Sequence, residues 1–110
     1  MLKKLTFPAA ILSMAFALPA YADTRYQLTD EAGMDTNGLY VSGKFTNSTG
    51  NTFGTTCISY KAYNRDHELV GNPQACVTGL APGETWSFKT TSIMGGVSAE
   101  VGNVLITPPN

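Results

Sequence analysis

The chain has 110 residues, seven of them basic and eight acidic, and 43% of it is apolar. That near balance supplies no clustered positive charge for nucleic-acid phosphates. Two cysteines and one histidine are too few for a zinc ligand set, and a chain this short holds one small domain.

Lys3 and Lys4 precede an apolar run from Leu5 to Leu18. Pro19 then leads into Ala20-Tyr21-Ala22, a small-x-small cleavage signal. Residues 1–22 therefore read as a signal peptide, cut between Ala22 and Asp23. The apolar run falls short of the ~20 residues that cross a bilayer, so no membrane anchor is expected. Asp23 stands where a lipoprotein would carry its lipidated cysteine. The expected location is periplasmic or secreted, and the expected domain is residues 23–110. Those 88 residues keep five bases and eight acids, a net charge of −3. Cys57 and Cys76 form an even pair in an exported chain, which predicts one disulfide. The 18 residues between them are far from the Cys-x-x-Cys spacing of a redox pair.

No window carries apolar residues at helical spacing, and short alternating runs between turn residues predict an all-β chain. Arg25–Thr29 reads as a first strand and Asp30–Gly38 as a polar loop. Leu39–Thr46 is a strand with Leu39, Val41 and Phe45 inward and Tyr40, Ser42 and Lys44 outward. Gly43 takes an inward position, where close packing of the opposite sheet is expected. Residues 47–51 are a tight turn. Thr52–Tyr63 is the longest strand, with Ile58, Tyr60 and Ala62 on one face and Cys57, Ser59, Lys61 and Tyr63 on the other.

Asn64–Glu68 is a hairpin loop, and the return runs through Leu69-Val70-Gly71 and Gln74–Thr78, broken at Asn72-Pro73 because proline has no N–H to donate. In the simplest hairpin register Cys57 faces Cys76, unless a bulge at Pro73 shifts it. Ala81-Pro82-Gly83-Glu84 carries the chemistry of a type II turn. Trp86 and Phe88 share the inner face of the next strand. Gly95-Gly96 is a break. Val97, Ala99 and Val101 alternate along a strand, Gly102-Asn103 reverses or bulges it, and Val104–Thr107 closes the domain. About seven strands at this spacing predict an immunoglobulin-like β-sandwich.

Three pieces of this pattern resemble the FxLYD domain, a small immunoglobulin-like module of exported bacterial and archaeal proteins. They are Val41-Ser42-Gly43-Lys44-Phe45-Thr46-Asn47, then Tyr60-Lys61-Ala62-Tyr63-Asn64, then Leu80-Ala81-Pro82-Gly83-Glu84 with Trp86 and Phe88. Tyr60, Ala62 and Asn64 stand where the family's name has Phe, Leu and Asp. The resemblance spans about 50 of the 88 residues. It implies a binding or spacer module and brings no catalytic residues with it.

The residues with reactive chemistry do not assemble by spacing into a catalytic set. His67, beside Asp66, is the lone histidine, and no Gly-x-Ser-x-Gly elbow accompanies it. Asn64, Asp66 and Glu68 alternate as calcium ligands do, without the later glycine and glutamate of a calcium loop. Asp30, Glu31 and Asp35 form a second acidic cluster. Glu84 and Glu100 are two acids among eight, not a glycosidase pair. Gly95-Gly96 lacks the Lys-Ser/Thr and the helix of a phosphate loop. No cofactor or metal is expected.

Trp86 reads as core. Tyr40 and Tyr63 fall on otherwise polar faces and are the candidate interaction residues, since tyrosine is favoured at interfaces. The expected function is a non-enzymatic binding module of the cell envelope with a protein partner. The alternatives are an assembly subunit that pairs by β-strand addition and a small envelope hydrolase. A fimbrial subunit fits poorly, because only Asp23-Thr24 would precede the first strand as a donor extension.

Overall fold

The computed structural model describes residues 23–109. The predicted leader, including Ala22, lies outside them. The described chain is an all-β sandwich of seven strands in two antiparallel sheets. The strands are β1 (Tyr26–Asp35), β2 (Gly38–Asn47), β3 (Thr55–Tyr63), β4 (Leu69–Gly71), β5 (Gln74–Thr78), β6 (Thr85–Lys89) and β7 (Ser98–Ile106).

One sheet runs β1-β2-β6. In the other, β3 is central, with β4 and β5 along one side and β7 along the other. The sheets are held by side chains that alternate inward along each strand. Val41 and Phe45 from β2, Ile58 and Tyr60 from β3 and Phe88 from β6 form the buried cluster, with Phe53 and Leu80 from the connections. Phe45 stacks on Tyr26 at 4.7 Å and meets the edge of Trp86 at 6.2 Å. Trp86 is half-buried against this cluster, as a core residue.

The segment Asp30–Gly38 is not the polar loop its composition suggests. It continues β1 to Asp35, pairs residue by residue with β2, and turns at Thr36-Asn37. The Asp35 carboxylate accepts the Asn37 N–H at 2.8 Å, an Asx-type closure that fixes the hairpin. Backbone pairing with β2 overrides the polar composition, because one face of this segment is solvated and tolerates charge.

The hairpin register of β3 is as predicted, with Cys57 opposite Cys76. It continues past Pro73 without a shift, from Ser59↔Gln74 to Ala62↔Gly71. The slip comes later, at Tyr63↔Leu69. The β3 strand starts at Thr55 rather than Thr52; Phe53 lies just before it, buried, with its N–H bonded to the Leu80 carbonyl at 2.9 Å.

The last two predicted strands are one. Asn103 faces Ser59 and Val101 faces Tyr60, so Gly102 is the extra residue of a bulge and the strand never reverses. Gly43 is closely packed, but by its own sheet rather than the opposite one, because β1 and β6 flank it on either side of β2. A Cβ there would run into the Thr29 carbonyl and the Phe88 ring. Gly83 has φ 77°, the left-handed position that a type II turn assigns to glycine, and the Glu84 N–H closes the turn on the Ala81 carbonyl at 3.0 Å.

Candidate functional site

The Cys57–Cys76 bridge joins β3 to β5 across a Cα separation of 4.1 Å. Both cysteines lie on the outward parity of their strands, opposite in side to Ile58 and Tyr60, so the bridge braces the sheet from outside the core. No cysteine in the described residues is free. No helix in them is long and apolar enough to cross a membrane. A disulfide in so small a domain points to an oxidising compartment.

The two candidate tyrosines lie on opposite outer faces. Tyr40 belongs to β2, and its ring covers Gly33 on the neighbouring strand. The Lys89 ammonium sits 4.3 Å from the ring centroid. Tyr63 belongs to β3. Its ring stacks on His67 at 4.7 Å, and its hydroxyl donates to Glu100 at 3.5 Å.

The polar residues weighed for chemistry are engaged in local structure. The Asn64 side-chain carbonyl accepts the N–H groups of Asp66 and Glu68, and its amide donates to the Glu68 carboxylate. This ordering holds His67 at φ 62°. Glu84 accepts the Ala81 N–H within its own turn, while Glu100 sits on β7 opposite Lys61. At the start of the described chain the Asp23 carboxylate takes the Arg25 guanidinium at 2.7 Å, which holds its pKa below the usual range. Asp35 is also lowered, by the Asn37 N–H and then the Ser92 hydroxyl.

Asp30 has a different setting. It pairs with Gly43 and so faces inward, where its carboxylate accepts the Tyr60 hydroxyl from the opposite sheet at 2.7 Å. Burial, and then this hydrogen bond, raise the Tyr60 pKa well above its usual value. The native protein thus keeps the phenol protonated while the unfolded chain titrates near pH 10. The stability this contributes is complete below that pH and is lost above it. Tyr60→Phe is expected to cost about 1 kcal/mol at pH 7 and to make the alkaline decline shallower. Denaturant unfolding at pH 8 and pH 11 measures both; an equal decline in the variant would exclude Tyr60 as its source.

One surface feature was not evident in the sequence. At the end of the sandwich that carries the β1–β2 turn, the β3–β4 loop and the β6–β7 connection, exposed apolar side chains converge. Met34, Val70, Met94 and Val97 line a shallow cavity of about 580 Å³, with Arg65 and Asp66 on its rim. Met34 and Met94 are 63% and 73% exposed. Their elements are fixed beneath them. Leu39 and Ile93 exchange two backbone hydrogen bonds, at 3.0 and 2.8 Å, and the Val97 N–H reaches the Tyr63 carbonyl at 2.7 Å.

The apolar character of this end was hidden because Met34 lies in a polar run and Met94 beside a glycine pair. Only pairing of Met34 with Leu39 and the Leu39–Ile93 bridge bring them together. Among the described residues no three His, Cys, Asp or Glu side chains are grouped to hold a metal ion. The chain matches no protein-family model, no curated protein and no solved structure.

Proposed function

We propose that this is an exported, non-enzymatic protein-binding module of the cell envelope, periplasmic or secreted, built on an FxLYD-like sandwich. The observation that carries the reading is the apolar end formed by Met34, Val70, Met94 and Val97. Contiguous exposed apolar side chains with a polar rim mark interaction sites, and methionine adapts to the shape of a partner. The leader supports export, and the disulfide supports an oxidising compartment.

The test is in-cell crosslinking and capture of the processed protein, comparing wild type with Val70→Asp/Met94→Asp. Both positions are exposed, so the fold should tolerate the charges. One specific partner captured by wild type and lost from the variant is the expected result. A hydrolytic activity that survives purification and vanishes in His67→Ala would overturn the reading in favour of an enzyme.

A further inference from the structure

The full chain has four methionines, and two of them, Met1 and Met14, fall in the predicted leader. The processed protein keeps the other two, Met34 and Met94, and both line the cavity at the apolar end. Methionine commonly fills gaps in a core. Neither of these belongs to the buried cluster, and both are exposed over more than half of their surface.

The backbone holds them there. Met94 and Gly95 are the central residues of a turn that the Gly96 N–H closes on the Ile93 carbonyl at 3.3 Å. Gly95 has φ 87°, the left-handed value of a second central residue in a type II turn. Met94 therefore stands at the turn's tip. Met34 reaches the same end because its partner Leu39 bridges to Ile93. Gly38 lets the two segments meet, since a Cβ there would run into the Ile93–Met94 peptide. Residues far apart in the chain thus bring both thioethers of the processed protein to one solvent-facing cavity.

An exposed thioether is open to two-electron oxidants, which convert it to a sulfoxide. No thiol competes for the oxidant. Cys57 and Cys76 are already bridged, and no cysteine among the described residues is free. A sulfoxide is polar and disrupts methionine-rich interfaces. Oxidation here changes two of the four apolar side chains that form the end and none of the buried cluster.

We infer that Met34 and Met94 form a reversible oxidation site through which peroxide-class oxidants switch the apolar end off. This rests on the protein-binding reading and names its regulation. A sulfur lone pair attacks one peroxide oxygen, the S–O bond forms and the O–O bond breaks. Sulfur is oxidised by two electrons, and the second oxygen leaves as hydroxide and takes up the remaining proton as water. A methionine sulfoxide reductase reverses the step. Its dithiol reductant becomes a disulfide, and the sulfoxide oxygen departs as water.

The protein is purified after export, without its leader, and treated with hydrogen peroxide. N-acetylmethionine amide in the same tube is the reference. Peptide mass spectrometry should find one added oxygen on Met34 and one on Met94, at rates close to the reference. The melting temperature should not change. Retention on an apolar column should fall. Pull-down of the crosslinked partner from envelope extract should weaken about tenfold or more. Two sulfoxide reductases, one for each epimer, should restore both retention and pull-down.

Slow oxidation of either methionine against the reference, or a lower melting temperature after oxidation, would overturn the proposal. So would unchanged retention, or a loss of pull-down that the reductases do not reverse. If the oxidised protein keeps its partner while Val70→Asp/Met94→Asp loses it, the switch falls and the binding reading stands. If the untreated protein captures nothing, the binding reading falls and the switch with it.

Discussion

Replacing Cys57 and Cys76 together with alanine is expected to lower stability by about 3 kcal/mol, the loop-closure contribution of a bridge of this span. A domain of this size has only roughly 4–13 kcal/mol in total, so the loss is a large share. The melting temperature should fall on the order of 15 °C. The structure locates where the loss is felt. The β5 strand is five residues long, and Asn72-Pro73 separates it from β4. Without the bridge, the ladder from Thr55↔Thr78 to Ser59↔Gln74, the Gln74–Thr91 backbone bond and the packing of Ala75 on the core hold it. Hydrogen exchange in the reduced protein should therefore rise first along Gln74–Thr78. A melting temperature unchanged by reduction would show that native strain cancels the bridge's contribution.

Asn47→Asp should be at least as damaging, at about 3–5 kcal/mol near neutral pH. Asn47 is fully buried at the end of β2. Its amide donates to the carbonyls of Asn51 and Leu80 at 2.8 and 3.0 Å, and its side-chain oxygen accepts the N–H and the hydroxyl of Thr49. Its backbone bonds to Glu84 and Gly83 of the type II turn. Side chain and backbone of this one residue thereby tie together the 47–51 turn, the Leu80 connection and the turn that leads into β6.

Aspartate would lose both donors and set a buried negative charge against two carbonyl oxygens. Its pKa in the fold would be raised, so the damage is present above the unfolded pKa and shrinks as the pH falls toward about 4. Asn47→Ala removes the same bonds without the charge and should show no such recovery. Urea unfolding of both variants at pH 7 and pH 4.5 tests this, and equal losses at the two pH values for Asn47→Asp would refute the electrostatic part.

The same bonds give a physical account of two of the conspicuous sequence pieces. Val41–Asn47 and Leu80–Glu84 are far apart in the chain, yet Asn47 joins them through Leu80 and Gly83. Gly43, in the first piece, lies against Phe88 and beside Asp30, which Tyr60 reaches from the second. These residues form one mechanical unit inside the sandwich. The surface proposed to bind lies outside it, at the apolar end.

Chain-local patterns were enough to specify the all-β class, the inward sets Leu39/Val41/Phe45 and Ile58/Tyr60/Ala62, the type II turn and the pairing of Cys57 with Cys76. Each rests on local rules: alternation, proline and glycine chemistry, and hairpin register. Tertiary structure decided what depends on neighbours in space. Backbone pairing with β2 made Asp30–Asp35 a strand despite its polarity. Pairing with β3 chose the bulge over the reversal at Gly102, which keeps β7 one long strand. Packing placed Tyr40 and Tyr63 on opposite outer faces. The apolar end was invisible because its residues come from β1, β4 and the β6–β7 connection. Only sheet order decides which inward-facing side chains are covered.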